Sequence, residues 1–372
     1  MIYLDNAATS FFKPPQMIEA VCEYLKHPGN PNRGSHKAAM DAARIVLDTR
    51  MELAEFFDCH FSGVIFTSGI TESLNTVIAG MFTARDHIIT TYMEHNSVLR
   101  PLYRLGCELS VSDGSPEQME GLLKDTTKAV VMNHVSNVTG EINDIRAVGK
   151  FCREKGLFFI LDTAQSAGVL PISMEKEGID VLCFTGHKGL LGMQGIGGLC
   201  LRGEPGIEPL KVGGSGIRSF DRRQPATYPS ALEAGTQNVP GIVSLNASLQ
   251  YLKERGIENI LEHERSLGGY FAGKLASCDR ITLYRNPRKE HVGIVSFNIE
   301  DMDAGIVSDR LSHLFEIETR AGAHCAPLVH RHYNTQSMVR VSFGIHNTKT
   351  DADRCLQALE EIMERTGKEV KR

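Results

Sequence analysis

LFFILDTAQSAG, residues 157–168, sets a short apolar run directly against a carboxylate. Leu157 to Leu161 are all apolar and rich in aromatic and branched side chains. A run of that length, bounded by turn formers, reads as a strand buried on both faces. Gly156 just ahead of it ends a helical pattern, DIRAVGKFCREKG at 144–156, as glycine commonly does at a helix carboxyl end. A buried strand that finishes in Asp162 must supply that carboxylate with a cation or with hydrogen-bond donors. Either Asp162 caps a following helix, or it binds a positive group on a ligand. Gln165 lies in the same turn and can serve the same ligand.

The same alternation extends outward on both sides. GVIFTSG (63–69) reads as a strand running into a turn, and ITESLNTVIAGMF (70–82) has apolar residues at helical spacing. HIITT (87–91) is a strand and NSVLRPLYRLG (96–106) a helix; KAVVMNHVSN (128–137) is a buried strand, and IDVLCFTGHKG (179–189) and GIGGLCL (195–201) follow. Strands of this kind separated by helices predict an α/β fold with a mostly parallel sheet sandwiched by helices. Functional loops of such a sheet lie at the carboxyl ends of its strands. Beyond residue 238 the pattern changes to long helical stretches and then to HVGIVSFNI (291–299), DAGIVSDRLSHLF (303–315), EIETRAG (316–322) and SMVRVSFGI (337–345), a small α+β unit closed by the helix TDADRCLQALEEIMER (350–365). The expected division is a large domain at 15–240 and a small domain formed by 1–14 and 241–372.

Bulk properties exclude several classes. The chain has 372 residues, 42% hydrophobic and 23% charged, with a formal net charge of −5. No basic stripe for nucleic acid follows from that balance, and no apolar run approaches the roughly 20 residues of a membrane span. MIYLDNAATS lacks the basic and apolar regions of a secretory signal. Nine scattered cysteines without a CxxC pair argue against a zinc knuckle and for free thiols in a reducing cytoplasm.

Three strand ends carry chemistry. TSGITESLN (67–75) offers a helix amino terminus suited to an anion, although Thr71 can equally cap that helix. The second is Asp162. The third is FTGHKGLLGMQGIGG (184–198), where Lys188 follows an apolar strand inside a glycine-rich loop, with Thr185 and His187 as donors for a phosphate. A lysine held in a cleft can lose its proton and act as a nucleophile, whereas most loop lysines are simply solvated. Taken together, an anion cradle, a buried Asp and a cleft Lys meet the requirements of pyridoxal 5'-phosphate.

In order and wording these segments resemble the cysteine desulfurase and selenocysteine lyase family, within the class V aminotransferase-like group of fold type I pyridoxal-phosphate enzymes. The likeness runs through YLDNAAT (3–9), NRGSH (32–36), SGITES (68–73), MEHNS (93–97), HVSNVTG (134–140), LDTAQSAG (161–168), TGHKG (185–189), EAGTQN (233–238) and RAGAHCAP (320–327). It implies that Lys188 holds the cofactor covalently and Asp162 pairs with its pyridine nitrogen. Gln165 would approach the phenolic oxygen, and His95 would stack on the ring and handle protons. Thr71, Thr185 and His187 would bind the phosphate, and Thr236 would reach the phosphate of a neighbouring subunit in a homodimer with shared sites. Asn137 and Arg340 would receive the substrate carboxylate, a task the planar arginine fork suits. Arg33 and His36 match a cleft segment of the family.

RAGAHCAPLVH (320–330) differs from the other cysteine contexts in being polar and turn-forming. The reactive species of a cysteine is its thiolate, favoured by nearby positive charge, and Arg320 and His324 are the candidates to supply it. The segment is similar to the RxGxHCA loop of the second desulfurase subgroup, which makes Cys325 the expected nucleophile. The loop is a variant: Ala323 stands where the subgroup commonly has a second histidine, and Ala326 leads directly to Pro327. The implied reaction takes L-cysteine to L-alanine, with the sulfur carried as a persulfide on Cys325 and passed to a thiol or an acceptor protein. L-Selenocysteine is the alternative substrate. The rival readings are a class V aminotransferase that does not use Cys325, and a module that binds the cofactor without turnover.

Overall fold

The computed structural model describes residues 1–32 and 34–369. The chain opens with β1 (Ile2–Tyr3) and continues through α1 (Pro15–Lys26), α2 (Lys37–Phe57), β2 (Val64–Thr67), α3 (Ile70–Met81), β3 (His87–Thr91) and α4 (Asn96–Leu105). There follow β4 (Glu108–Ser112), α5 (Pro116–Glu120), β5 (Thr127–Asn133), α6 (Ile145–Lys155), β6 (Phe158–Asp162), α7 (Met174–Glu177), β7 (Val181–Thr185), β8 (Gly197–Leu201) and α8 (Val239–Arg255). The last part comprises α9 (Ile257–Leu275), β9 (Ile281–Leu283), β10 (Ile294–Ile299), α10 (Ala304–Phe315), β11 (Ile317–Glu318), β12 (Arg320–Gly322), α11 (Pro327–His332), β13 (Met338–Ser342) and α12 (Lys349–Glu369).

These elements fall into two units. The larger comprises 13–134 and 143–257, and the smaller comprises 1–12, 135–142 and 258–372. Two details differ from the expected boundaries. Helix α8 lies in the larger unit because it packs along α1 and α2. The segment 135–142 belongs to the smaller unit, where Val292 N donates to Gly140 O at 2.9 Å and Ile142 N to Glu290 O at 2.9 Å.

The larger unit is built on a seven-stranded sheet in the order β2-β8-β7-β6-β5-β3-β4. Strands β7, β6, β5, β3 and β4 run parallel, and β8 is antiparallel to both of its neighbours. Helices cover both faces, because successive strand side chains point to opposite sides. Val181 and Cys183 join Leu74, Val77 and Val98 of α3 and α4 in one core. Phe184 on the other face meets Phe57 of α2, with ring centroids 5.5 Å apart. Local chemistry fixes the helix ends. Asp144 accepts from Ala147 N at the start of α6, and Gly156 takes the left-handed conformation at its end, which glycine enters without steric cost.

The smaller unit has a four-stranded antiparallel sheet, β12-β13-β10-β9, and a parallel pair, β1-β11. Its core includes Phe271, Phe297, Val339, Val341, Phe343 and Leu359, all buried. Leu4 belongs to the same core, so the first residues of the chain fold with the last.

Candidate active site

In the larger unit the candidate side chains stand at or just beyond strand ends. Asp162 terminates β6 and is 3% exposed. Its Oδ1 accepts from Ala164 N at 2.8 Å. Burial raises its pKa; the Ala164 N–H and the charge of Lys188 work in the opposite direction. Lys188 lies between β7 and β8 in a tight turn, with Leu191 N on Lys188 O at 2.8 Å and Gly192 N on Gly186 O at 2.8 Å. Two glycines seat that turn against the aspartate turn. A Cβ at Gly168 would come within 2.2 Å of Gly189 O, and a Cβ at Gly189 within 2.5 Å of Ala167 O. Gln165 is half-buried on the same turn as Asp162.

Helix α3 begins at Gly69 with no side-chain cap. Thr71 therefore does not cap it; its Oγ1 lies 2.8 Å from Ser97 Oγ. Ser97 links Thr71 to His95. Ser97 N donates to His95 Nδ1 at 3.0 Å, and Ser97 Oγ is 2.9 Å from the same nitrogen. With Nδ1 accepting, the ring carries its proton on Nε2, and His95 is fixed as the amino-terminal cap of α4. A Cβ at Gly69 would stand 3.7 Å from Oγ1 of the buried Thr185. Gly69 has φ 154°, and the uncapped N–H groups at the start of α3 are of the kind that can bind an anion. His187 is pushed down to about 4 by burial, with Lys188 and Lys13 adding, so it is a neutral ring at pH 7. Thr236 is exposed on the segment before α8, and with Ser68 it lines a pocket of the larger unit.

The smaller unit holds the remaining candidates. Arg340 on β13 is 1% exposed. Its Nη2 donates to Asp5 Oδ1 at 2.6 Å and its Nη1 to Asn137 O at 3.0 Å. Asn137 Nδ2 donates to His324 O at 2.8 Å. Arg340 Nε and Asn137 Oδ1 are buried with no partner among the described residues. Cys325 follows β12 and is exposed. It and His324 have φ of 57° and 48°, two successive non-glycine residues in the left-handed region. His324 is buried and pushed down to about 3, chiefly by burial, with Arg340 and Arg320 adding. The expectation that His324 supplies positive charge to the thiol is thus overturned: its desolvated ring is neutral.

A family model of aminotransferase class V matches residues 2–355. The chain belongs to the aminotransferase class-V family. Among its class-V relatives, a probable cysteine desulfurase of Pyrococcus abyssi is 34% identical, covering 98% of this chain and 94% of that one. A cysteine desulfurase of Escherichia coli O127:H6 is 31% identical over 97% and 93% of the two chains. The apo cysteine desulfurase of Thermococcus onnurineus NA1 superposes with a TM-score of 0.92 at 34% identity, covering 98% of this chain and 94% of that one. An Escherichia coli cysteine desulfurase in an S-sulfonic acid form gives a TM-score of 0.87 at 26% identity, covering 97% and 94%. The mixed α/β architecture is therefore that of fold type I cysteine desulfurases.

Three side chains beside candidate residues of their own unit were not singled out from sequence. Glu94 is fully buried, with Oε1 accepting from Thr91 Oγ1 at 2.5 Å and from Asn133 N at 3.0 Å. Burial pushes it up to about 8, and the neighbouring Asp162 adds to the rise. Its signal was present, since it is an acid just beyond an apolar strand, but it stands beside the more conspicuous His95. Lys13 donates to His187 O at 3.3 Å and Gly192 O at 2.7 Å, bracketing the Lys188 turn. Asp5, in YLDNAAT, is the partner of Arg340. His36 proves to be the cap of α2, accepting from Ala39 N. Arg33 lies outside the described residues. Cys22 is exposed on α1.

Proposed function

We propose that this enzyme is a pyridoxal-phosphate-dependent cysteine desulfurase that converts L-cysteine to L-alanine and takes the sulfur onto Cys325. The observation that carries the reading is the placement of Cys325: an exposed thiol on a strained left-handed turn, in a chain whose class-V relatives bear the name cysteine desulfurase. Strained backbone of this kind persists where the surroundings over-determine it, commonly at functional sites.

The residues fit the cofactor. Lys188 supplies the amine for covalent attachment, the buried Asp162 the carboxylate for the pyridine nitrogen, and Thr71, Thr185 and His187 the donors for phosphate. A neutral His187 serves as a hydrogen-bond donor to the phosphate rather than as a counter-charge. His95, held by its cap bond, presents a fixed ring face. When bound, pyridoxal phosphate acts as an electron sink that lets the Cα proton of an amino acid leave. Lys188 Nζ is the base that takes that proton. Arg340 and Asn137 receive the substrate carboxylate, Arg340 by exchanging Asp5 for it; Arg33 is proposed for the same group. The Cys325 thiolate then attacks the substrate sulfur. The new S–S bond forms as the Cβ–S bond breaks, its electron pair stays on Cβ, a proton completes the methyl group, and Lys188 returns the Cα proton to give alanine. The persulfide on Cys325 passes its outer sulfur to an acceptor thiol or is reduced to sulfide. The reading includes a homodimer in which Thr236 serves the neighbouring subunit's phosphate, and a reducing cytoplasm that keeps Cys325 as a thiol.

The test is product formation from L-cysteine with excess reductant, following sulfide and alanine together. Equal amounts from the wild type, lost in Cys325→Ala, are expected. Cofactor bound without sulfide release, or sulfide release indifferent to Cys325→Ala, overturns the reading.

A further inference from the structure

The turn that carries Cys325 spans residues 323–326, between β12 and α11. A branched or bulky backbone neighbour does not enter the left-handed region freely, and two such residues in succession need holding. Three hydrogen bonds hold this pair. Ala326 N donates to Ala323 O at 3.0 Å and closes the turn. His324 Nε2 lies 2.9 Å from Met338 O on β13; a carbonyl only accepts, so this nitrogen carries the ring proton. Asn137 Nδ2 donates to His324 O at 2.8 Å. His324 Nδ1 is buried and has no partner among the described residues.

Asn137 is itself bolted to the sheet of the smaller unit. Arg340 Nη1 donates to Asn137 O, and Ser296 Oγ donates to Val138 O at 2.6 Å. Gly140, at φ 71°, packs so closely that a Cβ would come within 2.6 Å of Ile294 O. The imidazole therefore points inward as an anchor while the next side chain, Cys325, points out to solvent.

We propose that His324 and Asn137 are positioning residues that clamp the left-handed turn and so fix where the Cys325 sulfur stands, His324 acting through Nε2–H donation and not by exchanging a proton. The proposal rests on the reading of Cys325 as the sulfur-accepting nucleophile. It gives Asn137 a second task beside the carboxylate: the residue that meets the substrate also grips the nucleophile loop. The charged and titratable groups facing His324 are Arg340, Arg320 and His330. None of them is an acid, and their charges favour the neutral ring.

The experiment uses the full-length holoenzyme with His324→Gln, His324→Leu and Asn137→Ala. The rate of Cys325 alkylation by iodoacetamide is mapped by mass spectrometry, with the exposed Cys22 as the control for reagent and the buried Cys183 and Cys355, which stay unmodified while the fold is intact, as the control for folding. Gln places a donor nitrogen where Nε2 stands; Leu keeps bulk and loses the donor. Expected for His324→Gln is an alkylation rate and a kcat within about threefold of wild type, with an unshifted pH profile. Expected for His324→Leu is at least a fivefold change in Cys325 alkylation and a tenfold loss of kcat, with the KM for L-cysteine changed less than twofold and Cys22 unaffected. Asn137→Ala should change Cys325 alkylation in the same direction as His324→Leu. Wild-type alkylation and kcat in His324→Leu overturn the clamp. A His324→Gln variant as impaired as His324→Leu, with a pH profile altered near neutrality, overturns it in favour of proton transfer by His324. Failure of the desulfurase reading is separate and visible: Cys325→Ala would then release sulfide normally, while alkylation still reports on the clamp.

Discussion

At the scale of single residues, burial governs the two acids nearest the residues proposed to bind the cofactor. Asp162 and Glu94 are both desolvated, yet only Asp162 has a cation, Lys188, acting on it. A cationic pyridinium placed against Asp162 would favour its ionised form further, since an opposite charge nearby lowers a carboxylate pKa. Asp162→Ala is expected to lower kcat by at least a hundredfold while the protein stays folded, checked by sulfide release beside a thermal melt. Glu94 shifts in the same direction with no such cation opposing it. Its native pKa is raised to about 8, so the native state holds a proton that the unfolded chain releases above the usual carboxylate range. That mismatch makes stability fall as pH rises from roughly 4.5 towards 8, by up to about 1.4 kcal/mol per pH unit. Glu94→Gln removes the titration. Its Tm should match wild type near pH 4.5 and exceed it increasingly up to pH 8; parallel Tm curves for the two proteins would show that Glu94 ionises normally.

At the scale of elements, turns rather than helices or strands bring the groups together. The lysine turn and the aspartate turn approach through Gly168 and Gly189, where backbone atoms occupy the space a side chain would need. Gly189→Ala forces a Cβ to within 2.5 Å of Ala167 O. Overpacking of this kind costs about 1–3 kcal/mol, and here it also pushes Lys188 away from Asp162. The expected result is a modest drop in Tm with a several-fold faster loss of cofactor on dialysis, followed by absorbance. Unchanged retention would mean that the two turns act independently. Helix ends do the rest of the positioning. His95 and His36 each cap a helix through Nδ1, so two histidines that the motifs mark out as functional also have structural employment.

At the scale of the whole molecule, each unit has an ion pair between distant parts of the chain, buried on both sides in the larger unit and partly buried at Asp5 in the smaller. In the larger unit Arg50 Nη2 lies 2.5 Å from Glu233 Oε2, both side chains 8% exposed, and Glu233 Oε1 accepts from Phe66 N at 2.7 Å. The pair ties the segment bearing Thr236 to α2 and β2. Removing one partner of such a pair costs about 3–5 kcal/mol, because the other charge stays buried and unpaired. Glu233→Ala should therefore lower Tm strongly. Thr236→Ala, at an exposed residue, should leave Tm unchanged yet weaken cofactor retention if that residue serves a neighbouring subunit. In the smaller unit Arg340 and Asp5 form the corresponding pair and join the first residues of the chain to β13.

The alternation of short apolar runs with amphipathic helices was enough to determine an α/β fold with a mostly parallel sheet, because strand and helix periodicities are properties of local sequence. The strand-end positions of Asp162, Thr185 and Lys188, and the polar turn around Cys325, were legible for the same reason. Tertiary structure alone decided that β8 runs antiparallel, that α8 joins the larger unit, and that residues 135–142 join the smaller one, since these depend on packing between segments far apart in the chain. It also decided the state of His324. Its sequence neighbours suggest a cation beside a thiol, but the fold buries the ring against β13, where the cost of desolvating a charge keeps it neutral.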